Sequence, residues 1–458
     1  MQSCDTFVFC SGTYAGKKNL LAKNSDRPLG ECQVLRYFPA EDHAPGETLK
    51  CTHLSVDQVA HTYAMLGSQP YWIWGFEMGI NEWGLAIGNE AEWSRCETET
   101  EDGLLGMDLL RLALERAKTA RQAIDIISVF LAKYGQWANA SPLYDRRYEN
   151  SYLMIDPNEV WVMETAGRHW VAKRIKDWKA ISNCYSIGDD YDLCSDGIEE
   201  YARARRWLST SQPFDFAKAY SKSDLSQRAA VPRWRRLCKL IDLVSKPVVD
   251  EDIKTILRDH FDGEIMEPRF GATYGLFMSI CMHAMVWDGS QTAASVLFSY
   301  DDILGAVARY APSMPCCSVY IPVYMTGSLP KAMEQGGEFF DEASLWWQIE
   351  RLEMAVSIDE ERFGKEVRAA LRTQEKTISG KTDETELLAA ELIRAGDREK
   401  AMQLLNALTE QAVADVMALV VHLHGRIADL VKMDGGLYGQ RKEFLESYCN
   451  RVKMPLLG

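Results

Sequence analysis

The chain has 458 residues, 47 % of them hydrophobic, with 51 basic against 66 acidic side chains and a formal charge of −15. That length carries one large or two to three medium domains around a sizeable core. The acidic balance argues against a general binder of nucleic acid or anionic membrane, since both attract clustered positive charge.

In chain order, residues 6–10, 20–23 and 33–38 are short apolar or alternating runs broken by Gly12, Gly16, Pro28 and Gly30, the pattern of strands and turns. Residues 103–134 place Leu104, Met107, Leu110, Leu114, Ala117, Ile124, Ile127 and Leu131 at helical intervals, with Thr119 capping the second of two helices. Residues 151–155 and 160–164 flank Asp156-Pro157-Asn158 as a hairpin, and 169–175 adds a strand. Residues 199–208, 233–244 and 253–261 read as helices, after which 273–285 and 292–300 resume strand character. The mixture is α+β. Beyond Pro330, residues 345–376, 384–395 and 398–433 are long helical patterns, with breaks at Gly380 and Gly396 and Asp383 capping the middle one. The role expected of this region is packing or contact within a homo-oligomer.

No run reaches the ~18 consecutive apolar residues of a membrane span, and no basic n-region precedes an apolar h-region at the N-terminus. A cytoplasmic location without membrane contact is expected. The 12 cysteines are irregularly spaced, with close pairs only at Cys4 and Cys10 and at Cys316-Cys317. Without a zinc template they read as buried thiols in a reducing compartment. His422 and His424 lie two apart, unlike an i, i+4 metal pair. Neither metal nor cofactor is expected, and His283, in an apolar flank, reads as a hydrogen-bonded core histidine.

Cys4 carries the chemistry. If Met1-Gln2-Ser3 is removed, Cys4 presents both a thiol and a free α-amine whose ordinary pKa of ~7.7–8.0 suits a general base near neutrality. One residue then supplies nucleophile and base. Gln2 is too large for simple removal of Met1 to be expected, so exposure of Cys4 calls for cleavage of the Ser3-Cys4 bond.

Cys4-Asp5-Thr6-Phe7-Val8, Lys23-Asn24-Ser25-Asp26-Arg27 and Trp74-Gly75-Phe76-Glu77-Met78-Gly79-Ile80-Asn81-Glu82-Trp83-Gly84 resemble the dipeptidase/secernin family of cysteine N-terminal-nucleophile (Ntn) hydrolases. Gly88-Asn89-Glu90-Ala91, Leu105-Gly106-Met107-Asp108-Leu109, Glu164-Thr165-Ala166-Gly167, Ile181-Ser182-Asn183 and Ser279-Ile280-Cys281-Met282-His283 extend the resemblance from Cys4 to about Trp347. It implies an Ntn-hydrolase-like four-layer αββα sandwich of antiparallel sheets, with 1–3 as a removable propeptide, 4–335 as the catalytic domain and 336–458 as a helical C-terminal region.

The resemblance also implies roles. Cys4 attacks, Asp26 orients the α-amine, and Asn81 and Asn183 stabilise the oxyanion. Lys23 lowers the thiol pKa, where related bile-salt and penicillin amidases carry arginine. Arg233, Trp74 and Trp83 are weaker candidates for substrate binding. Arg233 with Arg235 and Arg236 otherwise reads as a solvated helix face, and the tryptophans as core. The activity implied is hydrolysis of small amide bonds, most plainly of dipeptides. The alternatives are an N-acyl amide hydrolase or acyltransferase, and a secernin-like non-catalytic protein of secretion and trafficking.

Overall fold

The computed structural model describes the chain except residues 1–2, 17, 98, 100–101, 210, 223–224, 265–277, 285–288, 438–441 and 458, together with the side chains of 225–229. Among the described residues, six strands form one antiparallel sheet in the order Trp178–Ile181, Cys4–Phe9, Leu20–Pro28, Ser290–Asp301, Gly305–Pro312, Ile321–Tyr324. Eight more form a second: Leu193–Cys194, His169–Ile175, Val160–Ala166, Glu149–Ile155, Ala86–Glu92, Met78–Asn81, Met65–Pro70, Gln33–Phe38.

Both sheets are buried on both faces, and strand alternation decides what each face meets. Val8 and Leu21 of the six-stranded sheet pack against Leu66, Ile80, Ala86 and Leu153 of the eight-stranded one, which makes the inner layer. Phe7, Phe9, Ala22 and Leu297 point the other way, onto the helices Leu225–Leu243 and Asp250–Leu257. Ile87, Met154 and Met163 meet the helices Gly106–Arg116 and Ala120–Tyr134 on the far side. The result is a helix-sheet-sheet-helix stack of α+β class. Thr119 caps the second of those far helices by accepting from the Gln122 amide, as its sequence position predicts.

Two expectations need correction. The strand expected at 273–285 lies partly outside the described residues, and its described part, 278–284, is irregular. Helix Glu360–Arg394 runs unbroken through Gly380 and Asp383. A lone helical glycine costs only about 1 kcal/mol, less than the continuous buried stripe of Phe363, Val367, Leu371 and Ile378 contributes. The break falls earlier, where Asp359 caps by accepting from the Arg362 amide, and later at Gly396 with φ 88°. By length and composition, helix Arg398–Met433 could cross a membrane. Here its Ala412, Val416, Val420, Leu423 and Ile427 are buried in the same core as the sheets. Helix Leu345–Val356 shares that core, so the helical C-terminal region is packed onto the sandwich rather than standing apart.

Candidate active site

Cys4 opens the first strand, opposite Ser25 in register, with its side chain on the inner face. It is 5 % exposed. Lys23, two residues from Ser25 on the same face, acts electrostatically on the Cys4 thiol across the strand pair. Its stem crosses the gap between the sheets where Gly88 has no side chain, since a Cβ there would stand 2.9 Å from Lys23 Cδ. The ammonium donates to Asn89 O at 2.5 Å and lies 3.6 Å from Glu90 Oε1, which also accepts from Thr6 Oγ1. The Asp26 backbone N–H donates to Cys4 Sγ at 3.3 Å. Cys4 N donates to Asn183 Oδ1 at 2.9 Å, and Asn183 Nδ2 donates to Ala91 O at 2.9 Å.

The alternate residues Asp5 and Asp26 face the helical layer. Arg233 Nε donates to Asp5 Oδ2 at 3.0 Å, and its Nη2 reaches Ser182 Oγ at 3.0 Å and Asn183 Oδ1 at 2.8 Å. Asp26 accepts from Ser3 Oγ at 3.1 Å and from Thr292 Oγ1 at 2.7 Å. Burial, reinforced by Asp5, pushes the Asp26 carboxyl up to about 7. Burial likewise pushes Glu90 up to about 8 against the pull of Lys23. The Cys4 thiol is raised by burial, and Lys23 is the one neighbour acting to lower it. Lys23 itself is held above the ordinary lysine range: burial opposes its charge, but Cys4 and Glu90 outweigh burial. Burial thus weakens the charge on Glu90, so that it competes less with a Cys4 thiolate for the Lys23 ammonium.

The structure thus brings Cys4, Lys23, Asp26, Asn183 and Arg233 together, here with Ser3 still attached to Cys4. The Cys4 nitrogen is held by Asn183, while alternation turns the Asp26 carboxylate toward Ser3. Arg233 is fully buried and spends its guanidinium on Asp5, Ser182 and Asn183. It is therefore not part of a solvated helix face, and it ties Asn183 to Asp5.

Asn81 does not join them. It shares a face with Gly79, whose Cβ position lies 2.7 Å from Leu114 Cδ1 of the far helical layer. Its amide donates to Leu114 O and Ala117 O, and its oxygen accepts from the Trp83 and Leu85 amides. Both amide protons are committed, so it has none for an oxyanion. Trp74 lies under the Arg111 guanidinium on that same outer side, and Trp83 is 43 % exposed beneath Lys118. Neither reaches Cys4. Sequence reasoning assigns no role to Asp5, Glu90, Ser182 or Thr292; the first three stand inside the motifs that carry the resemblance, and nothing in the sequence marks Thr292. Though no ligand spacing is visible in the sequence, His283 faces His260, Cys281 and Cys316 in one cluster.

A family model described as Peptidase family C69 matches residues 50–375, which include Asn183 and Arg233 but begin after Cys4, Lys23 and Asp26. A dipeptidase of Bifidobacterium longum is 24 % identical over 331 residues, covering 58 % of this chain and 60 % of that protein. A probable dipeptidase A of Streptococcus pyogenes is 22 % identical over 293 residues, covering 56 % and 58 %. The chain therefore spans about three fifths of the length of the curated relatives it matches. A crystal structure of a conjugated bile acid hydrolase mutant from Clostridium perfringens aligns with a TM-score of 0.36 at 12 % identity, over 71 % of this chain and 92 % of that one.

Proposed function

Because the chain belongs to peptidase family C69, we propose that it is a cysteine-type N-terminal-nucleophile hydrolase of small peptides, with Cys4 as nucleophile. The observation that carries this reading is the buried Cys4 thiol accepting from the Asp26 N–H on the face it shares with Lys23, with its nitrogen on Asn183. The names of the curated relatives favour dipeptides as substrates.

While Ser3 is attached, the Cys4 nitrogen is an amide without basicity. We propose that the chain frees it. Cys4 Sγ attacks the Ser3 carbonyl carbon, the thiol proton passes to the departing nitrogen, and the C–N bond breaks to leave a thioester. Water hydrolyses the thioester, releasing the Ser3 carboxylate and restoring the thiol beside a free α-amine. Ser3 is 2 % exposed, packed between Asp26 and Met282, so its departure opens room directly in front of the nucleophile.

In turnover the α-amine takes the thiol proton and the thiolate, favoured by Lys23, attacks the substrate carbonyl carbon. The second Asn183 amide proton, which has no protein partner among the described residues, donates to the oxyanion. The α-ammonium gives its proton to the leaving amine, and water activated by the same amine cleaves the thioester. Arg233 holds Asn183 in place throughout.

Intact-mass measurement and a dipeptide panel test this together. Mature protein beginning at Cys4 should release amino acids, and Cys4→Ala should stay uncleaved and inactive. An uncleaved wild-type chain with full peptidase activity refutes the processing step. Processed protein inactive on dipeptides but active on N-acyl amino acids moves the substrate class, and inactivity on both removes the enzymatic reading.

A further inference from the structure

We propose that His260, Cys281, His283 and Cys316 bind one zinc ion that clamps the segment behind the nucleophile strand. Their ligand atoms all lie within 4.8 Å of one another. His283 Nε2 is 3.2 Å from His260 Nε2, 3.2 Å from Cys316 Sγ and 3.7 Å from Cys281 Sγ. A tetrahedral zinc with bonds of ~2.0–2.3 Å to nitrogen and sulfur sets its ligands about 3.3–3.8 Å apart. Two thiolates and two imidazoles form the S2N2 set that selects tetrahedral zinc, and two thiolates cancel its charge in a buried site.

The surroundings support the same reading. His283 Nδ1 is 3.1 Å from Glu353 Oε1 on helix Leu345–Val356. A carboxylate on Nδ1 fixes the proton there and turns the Nε2 lone pair into the cluster, the arrangement by which metal-bound histidines are oriented. His260, Cys281 and Cys316 are buried and His283 nearly so. With all four positions taken by protein, the site is closed and structural rather than catalytic.

The ion would join four separate pieces of chain: the end of the Asp250–Leu257 helix region, the irregular 278–284 segment, the Pro315–Cys317 turn and, through Glu353, the C-terminal helices. Met282 sits between two ligands. Its Sδ is 3.1 Å from Ser3 Oγ, and its amide donates to Thr292 Oγ1, which in turn donates to Asp26. Ile280 O accepts from Asn24 Nδ2. The clamp therefore backs the residues that flank Cys4, in a stretch with no strand ladder of its own.

Elemental analysis of the full chain, purified without chelator and freed of any tag, should find about one zinc per chain. Cys316→Ser and His260→Gln should each lose most of it, and exchange with cobalt should give the intense d–d and sulfur-to-metal absorption of a tetrahedral thiolate site. Should the variants fail to fold, titration of wild type with an organomercurial provides the reading: zinc released in step with thiol modification supports the site. A folded wild-type chain that takes up neither zinc nor cobalt, variants that retain full zinc, or a Cys281–Cys316 disulfide in freshly purified protein overturns it.

Discussion

Asp26 offers a quantitative check on the electrostatics of the site. Its carboxyl is fully buried and stands at about 7, against ~3.9 for an unfolded chain. Between those values the folded protein holds a proton that the unfolded chain has released, so stability must fall as pH rises from ~4 to ~7. Three units at ~1.36 kcal/mol each give about 4 kcal/mol by pH 8. Asp26→Asn is nearly isosteric, and the Ser3 and Thr292 hydroxyls can turn from donating to accepting. The variant should lose this slope while Glu90, standing at about 8, contributes its own slope equally to both proteins. The comparison belongs in a Cys4→Ala background, where Ser3 stays in place beside Asp26. Melting temperatures from pH 4.5 to 8 should show the Asn variant gaining on its parent as pH rises, by about 4 °C at the upper end for a chain of this length. Parallel curves, or a variant that falls behind at high pH, would refute the burial argument.

Lys23→Met keeps the stem that fills the Gly88 gap but removes the charge beside the thiol; since Glu90 can stay protonated, the fold should survive. Lys23 acts to lower the Cys4 thiol, and two unit charges ~4 Å apart at an effective dielectric near 20 interact by about 4 kcal/mol as a ceiling, so kcat/KM should fall ~10²–10³-fold and the pH midpoint for Cys4 alkylation should move up; unchanged alkylation would remove Lys23 from the site. Asn81→Ala strands two carbonyls at the end of the Gly106–Arg116 helix and two hairpin amides, and should cost about 2–4 kcal/mol of stability with near-normal kcat in the folded fraction; a selective loss of kcat would restore it to the mechanism.

The strands were legible wherever period two was strong, as at Gln33–Phe38 and the Glu149–Ile155/Val160–Ala166 hairpin. Leu20–Pro28 extends five residues past the expected end because the run from Lys23 to Arg27 is polar and Pro28 reads as a break. In the fold each is buried with its own partner: Lys23 on Glu90, Asn24 on two carbonyls, Ser25 on Gln33, Asp26 on Thr292, Arg27 on Glu31 and Glu77. A hydropathy pattern cannot show that polar groups will be paired, because the partners come from distant strands. That run of buried polarity in mid-sheet is itself the mark of a site, since burying five such residues is worthwhile only where chemistry uses some of them.

The same limit explains the misplacement of Asn81. Asn81 and Asn183 each follow an apolar approach and look alike in sequence. They part because Asn81 falls on the face its sheet turns toward a helix, and Asn183 follows the strand that pairs with Cys4–Phe9. Parity could have been counted for Asn81 only from a residue of known facing, and Gly88 would have served had its contact with Lys23 been foreseeable. The four-residue thiol and imidazole cluster was further out of reach. His260, Cys281, His283 and Cys316 match no ligand spacing because the fold recruits them from three segments. Only Cys281-Met282-His283 puts two of them close in the chain. With Met282 turned toward Ser3 and its neighbours away from it, one tripeptide faces both the nucleophile and the cluster, which couples the order of the site to whatever fills that cluster.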